Sequence, residues 1–327
     1  MKMRYCLLIG SVLGSLLAGT ADVRADSGDL PQGAQKRVDD AYRRRNFTFS
    51  DFGRDYGEFK NYLNREYGFD YSFDVSYMPQ RGAPNGRKTA YQTLISPSFT
   101  WTAFNNEYGT GTLNFAYTVA RYGGSQAARI GGNIGAVTEI NDYDDKSNAF
   151  NELYYSYQAG GSWKWLTVAA GQFPLSNFDG TAYDSNQQVN FINYALSQNA
   201  SSTYSTAGVG AYLQATPNSE WTFAVGAQDA TNVDGISVRF NNLNEEHYAT
   251  FGYIAYSPTI KGLGAGQYSV LLYNQPWVEE QKQTTNGWSV NLSQAIGDKL
   301  TVFGRVNGVS GSTAEINQSW VLGMVYN

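Results

Sequence analysis

Little in this chain supports thiol chemistry or a helical membrane anchor. Its 327 residues include one cysteine, Cys6, and one histidine, His247. Cys6 lies inside the apolar N-terminal run. The remainder therefore has no disulfide, no thiolate metal site and no cysteine nucleophile. Charged residues make up 16%, against about 25% in ordinary globular domains. No segment past the N-terminus approaches about 20 consecutive apolar residues, which excludes transmembrane helices. His247 follows Glu245 and Glu246 with no nucleophile motif around it, and Gly-x-Ser-x-Gly is absent, so no enzyme is expected. The acidic run "NDYDDK" at 141–146 lacks the spacing of a calcium-binding loop and reads as solvated. No metal or cofactor is expected.

Residues 1–25 read as an export signal. Lys2 and Arg4 precede the apolar "CLLIGSVLGSLLAG", and small-residue exits follow at Ala21 and Ala25. Cleavage after Ala25 would take three basic residues and one acidic one, moving the formal charge from −5 to −7. An acidic chain of this kind has no nucleic-acid partner.

What is abundant is aromatic residues and glycine. Aromatics are 15%, with 25 tyrosines, and there are 35 glycines, yet the mean hydropathy is −0.41. Such a composition fits a sheet with one oily and one wet face. In "YGFDYSFDVSYM", Tyr67, Phe69, Tyr71, Phe73, Val75 and Tyr77 share one parity, while Asp70, Ser72, Asp74 and Ser76 share the other. Side chains alternate across a strand, so the segment has an apolar face and an acidic one. The pattern recurs in "GTLNFAYTVAR" and in hairpins turning at "TPNSE" and "IGDK". Roughly a dozen strands of about 9–11 residues are expected, the length that crosses a bilayer at a tilt.

Tight turns alternate with long polar connections at 122–148, 173–203 and 229–246, and Trp and Tyr gather near strand ends. This asymmetry fits an outer-membrane barrel with short periplasmic turns, long outer loops and aromatic girdles. The fold class expected is all-β: a transmembrane antiparallel up-and-down barrel over 67–327. Before it, 26–66 forms a polar leader and a short periplasmic helix, with Phe52, Tyr56, Phe59 and Leu63 at helical spacing. The Tyr/Phe face of 67–78 then meets lipid, and Asp70 and Asp74 face the lumen.

The order of motifs resembles the carbohydrate-selective porins (the OprB-type family). "YGEFKNYLNREYGFDYSFDVSY" is similar to that family's approach to its first strand. "FNELYYSYQAGGSWKWLTVAAGQF" resembles its Tyr-Glu-Leu-x-Tyr strand and a hairpin closing on Gly-Gln. "FINYAL", "STAGVGAYLQATPNSEWTFAVGAQDA" and "LTVFGRVNG" follow in the family's order, so the likeness covers about 52–327. The resemblance implies a barrel of about 16 strands in the outer membrane. It implies passive diffusion of glucose, related sugars and other small hydrophilic solutes, with outer-membrane lipid as surroundings and homotrimer or monomer both open. Two departures stand out: fewer strands are legible, and the chain stops at "SWVLGMVYN" with Asn327 after Tyr326. A C-terminally truncated barrel and a smaller barrel with its own closure are both open readings. So is a structural or adhesive barrel that binds through its loops and has no pore.

A pore needs no reacting group; it needs a constriction lined by charges and by hydrogen-bonding or aromatic groups. Strand parity names the candidates. Leu153, Tyr155 and Tyr157 outward put Glu152, Tyr154, Ser156 and Gln158 inward. Leu300, Val302 and Val306 outward put Phe303, Arg305 and Asn307 inward. Tyr212 and Gln214 take the inward parity of their strand, and Gln172 ends its strand before 173–203, a loop long enough to fold into the pore.

Overall fold

A computed structural model describes residues 52–83, 88–125, 127–135, 148–184, 191–311 and 316–326. The export signal, the leader through residue 51 and the acidic run 141–146 lie outside the described residues.

The chain enters through helix α1 (Phe52–Tyr67), with Tyr56, Phe59 and Leu63 recurring at helical spacing and Arg65 in its last turn. Gly68 ends it. Its φ of +64° is left-handed, and its N–H returns to the Asn64 carbonyl at 2.8 Å. Any Cβ there would crowd the Thr102 carbonyl, so glycine is required. The helix packs on the first strand through Tyr56 on Tyr71 at 6.0 Å and Lys60 Nζ to Asp70 at 3.3 Å. Burial, the Tyr71 hydrogen bond and the Asp74 and Asp70 carboxylates push the Tyr56 phenol up to about 12.

Thirteen strands follow among the described residues: β1 (Phe69–Arg81), β2 (Thr89–Asn106), β3 (Gly109–Gly124), β4 (Asn148–Ala159), β5 (Leu166–Phe173), β6 (Gly208–Ala215), β7 (Trp221–Asp229), β8 (Tyr248–Tyr256), β9 (Thr259–Ile260), β10 (Gly264–Gln275), β11 (Thr285–Ile296), β12 (Leu300–Ser310) and β13 (Gln318–Tyr326). Two short helices, α2 (Ala127–Ile134) and α3 (Tyr194–Ser197), lie in the long connections. Every strand pairs antiparallel with the next in sequence, except that β8 passes over the two-residue β9 to β10. Connections at 107–108, 160–165, 216–220 and 297–299 are tight and lie at the end where α1 enters. Those at 125–147, 174–207 and 230–247 lie at the other end. Closure is not seen: no pairing joins β1 to β13 among the described residues. Strand length also departs from the expected 9–11 residues, since β2 runs 18 and β3 runs 16.

Register divides the sheet into two faces. Opposed residues of an antiparallel pair share a face, and the pairing passes from Asp70 through Thr100, Asn114, Tyr154, Gly171 and Gly210 to Gln228. On the far strands the same face carries Tyr253, Leu271, Ser289 and Asn307, with Asn291 and Arg305 opposed beside them. The other face carries Phe73, Val75, Tyr77, Leu213, Val225, Ile254, Val270, Leu272, Val290 and Val306, each exposed. An apolar face left open along the whole sheet is what lipid covers. Trp221 and Tyr256, 4.6 Å apart, mark its tight-turn end.

The buried cluster sits on the first face. Phe173, Leu175, Phe178, Ala224, Phe251, Leu271 and Tyr273 form it, with Tyr154, Tyr204, Tyr212 and Tyr253 packed around. Gly287 opposes Tyr273, where a Cβ would overlap the tyrosine ring. Leu175 and Phe178 belong to the connection after β5, so this segment turns inward and the sheet curves around it.

Candidate functional site

The connection 174–207 starts with a 3-10 turn at Leu175–Phe178 that buries both residues. Burying side chains of that size contributes about 1.5–3 kcal/mol each, which sets the direction of the loop. The Phe178 ring lies 4.7 Å from Phe251, 5.2 Å from Tyr212 and 5.4 Å from Tyr253. From that apolar foot the loop reaches two walls. On the β4 side, Asn177 Nδ2 donates to Glu152 Oε1 at 2.6 Å, an exposed contact. On the β11–β12 side the contacts are many and buried.

Asp179 accepts from Asn199 at 2.8 Å, from Tyr204 Oη at 3.0 Å and from Asn291 at 3.3 Å. Asp184 accepts from the Thr181 N–H and hydroxyl at 2.5 and 2.6 Å. Arg305 binds both ends of this arrangement. Its Nη2 lies 3.4 Å from Asp184 Oδ2 and donates to the Asp184 carbonyl at 2.6 Å, while its Nε donates to Asn291 Oδ1 at 2.8 Å. Both side chains of the ion pair are 0% exposed. Asn307 Nδ2 donates to Ser201 Oγ at 2.6 Å and also to Asn199 Oδ1. Phe191 and Tyr183 pack on Phe303, and Thr203 meets Tyr273 and Thr285. A buried charge needs a counter-charge or hydrogen bonds: Arg305 and Asp184 pair with each other, Asp179 is held by three hydrogen bonds from neutral groups, and Arg305 Nη1 has no hydrogen-bond partner among the described residues. Burial, with Asp179 beside it, holds the Tyr204 phenol well above its usual range.

No protein-family model matches the chain. Among proteins of known name, it is 39% identical over 273 residues to Porin AaxA of Chlamydia abortus, covering 81% of this chain and 60% of that protein. To Porin AaxA of Chlamydia pneumoniae it is 41% identical over 263 residues, covering 78% of this chain and 59% of the relative. Among solved structures, OprB of Pseudomonas putida superposes with a TM-score of 0.63 at 12% identity, over 84% of this chain and 74% of that one. The chain belongs to the porin family. Its location is accordingly the outer membrane, and enzymatic chemistry is set aside by that membership. The chain spans about 60% of the length of the named relatives.

Within this porin, Glu152, Tyr154 and Tyr212 lie on the inward face beside the foot of the loop, with Tyr154 and Tyr212 rings 6.3 Å apart. Asp70 and Asp74 lie on the same face of β1, and Asp74 accepts from Ser72 at 3.1 Å. Arg305 is on that face too but only 1% exposed, behind the loop. Gln172 stands apart. Register opposes it to Leu153 and Val209, on the other face, where it is buried and bonded to the Phe150 carbonyl and to Asn232 of the 230–247 connection. A strand-end residue at outward parity is covered there by a loop rather than by lipid. Sequence reasoning missed Asp179, Asp184, Asn199 and Asn291. The parity of Asn291 was readable; the loop partners were not, because 121 positions separate Asp184 from Arg305.

Proposed function

We propose that this chain forms, or forms part of, an outer-membrane pore that passes small hydrophilic solutes, sugars among them, by passive diffusion past the 174–207 loop. The observation that carries the reading is the described part of that loop, 174–184 and 191–207, folded onto the inward face and bonded to both the β4 and β11–β12 walls. A segment so placed would narrow the lumen of the closed barrel. The face beside it offers Ser72, Asp74, Thr100, Asn114, Glu152 and Ser156, groups able to make several weak hydrogen bonds to hydroxyl-bearing solutes. Sugar as a preferred solute is supported by the sequence resemblance to carbohydrate-selective porins. Liposome swelling with sugars of graded size tests it. Swelling rates should fall steeply with solute size; no swelling in liposomes holding folded protein would reject the pore and favour a barrel that binds through its loops.

A further inference from the structure

We infer that Arg305 is a positioning residue: its buried network locks 174–184 and 191–207, the described parts of the connection after β5, onto the β11–β12 wall and leaves the α1-end half of the β1–β4 wall as the side along which solutes pass. The inference deepens the pore reading and names which part of the lumen is used.

The observations are asymmetric. On β11 and β12 the inward residues Ser289, Asn291, Phe303, Arg305 and Asn307 are all 1% exposed or less. Each of the four polar ones is hydrogen-bonded, and the loop supplies partners to Asn291, Arg305 and Asn307. On the β1–β3 part of the other wall, Asp70 and Thr100 are exposed and Ser72, Asp74 and Asn114 are half-buried, whereas Gln80, Gln92, Leu94 and Thr118, nearer the long connections, are buried. Thr100 bonds Asn114 at 3.1 Å and Ser72 bonds Asp74 at 3.1 Å within the wall, while Asp70 pairs with Lys60 of α1 at 3.3 Å. Among the described contacts, the loop meets the β4 wall through the exposed bond from Asn177 to Glu152. A guanidinium spans two loop acceptors and one wall acceptor in a fixed fork, which a lysine could not reproduce. The energetics therefore favour keeping the loop on the far wall, and water and solute are left the stretch of the near one around Asp70 and Thr100.

Cysteine accessibility tests this in a Cys6→Ser background, which removes the single native thiol. Thr100→Cys and Ser289→Cys are reacted in folded, reconstituted protein with a small charged methanethiosulfonate, and labelling is read by mass. Thr100→Cys should label at least about ten-fold faster than Ser289→Cys, since buried thiols are inert. Adding Arg305→Ala should bring Ser289→Cys to within about three-fold of Thr100→Cys by the same exposure rule. Equal labelling of the two sites with Arg305 present would overturn the inference, as would a Ser289→Cys that stays slow once Arg305 is gone. If Arg305→Ala yields no heat-modifiable folded species, Asn307→Ala takes its place with the same two outcomes. Because labelling is read by mass and not by current, a parent that fails to conduct rejects the pore while the labelling contrast still decides the clasp.

Discussion

The two ends of this sheet present one face and use it differently. On β1–β4, alternation produces a wall that is apolar outside and hydroxyl- and carboxylate-bearing inside, open at Asp70 and Thr100 and buried at Gln80, Gln92 and Thr118. On β10–β12 the same alternation produces an inward row of Ser289, Asn291, Arg305 and Asn307 that never meets water, because the loop from 174 to 207 covers it. The strands differ too: β1–β4 run 13, 18, 16 and 12 residues, whereas β10–β12 run 12, 12 and 11. Inward parity therefore says which face a residue occupies and not whether a solute can reach it. A tertiary contact decides accessibility.

The largest effect expected is at the clasp. Arg305→Ala leaves Asp184 buried without its counter-charge and should destabilise the folded protein by about 3–5 kcal/mol, read from denaturant titration in bilayers or micelles. A loss under about 1 kcal/mol, the surface-pair scale, would place Arg305 with exposed ion pairs and remove the contrast between the walls.

Next comes the outer face of β1. Phe73 is 52% exposed there, so Phe73→Arg should cost about 2–4 kcal/mol of bilayer folding if near the midplane, while the inward Asp74→Asn is tolerated. Equal costs for the two would break the division into lipid and water faces.

A smaller effect, electrical rather than energetic, is expected at Glu152. Glu152→Gln removes a carboxylate beside the open wall and should shift the reversal potential toward anions in a salt gradient. An unchanged potential would put Glu152 away from the path. Arg305 differs from the sequence reading here: its charge is compensated by Asp184 and covered, so it acts on solutes through the loop it holds.

The smallest effect separates the two anchors of the loop. Asn307→Ala strands buried loop partners and should cost about 1–3 kcal/mol. Asn177→Ala removes one exposed bond and should change stability by no more than about 0.5 kcal/mol. Comparable costs would mean that the loop is held equally at both walls.

Much of the sheet was legible because period-two alternation survives any tertiary context. Leu213 faces Val225 across the "TPNSE" turn, and Val290 faces Val306 across "IGDK", as the pattern requires. Strand length was less legible. Pro97 lacks an N–H and reads as a break, yet β2 runs through it, with Phe73 opposite. Around it the β2–β3 pairing resumes at Ser98 in the same register. The destination of the 174–207 loop was not legible, because it depends on Phe178 finding Phe251 and Tyr253 far along the chain. The apolar residues of "FPLSNF" were the available signal, since a fully solvated loop has little use for them. Gln172 shows the reverse: it ends a strand beside an inward-turning loop, yet register assigns it the other face.

One measurement bears most directly on the claim that a wall-locked loop sets the pore. Single-channel conductance of the reconstituted parent should be small and steady, and that of folded Arg305→Ala larger with added open-channel noise, as the loop leaves the β11–β12 wall. Identical conductance and noise in the two proteins would contradict the account.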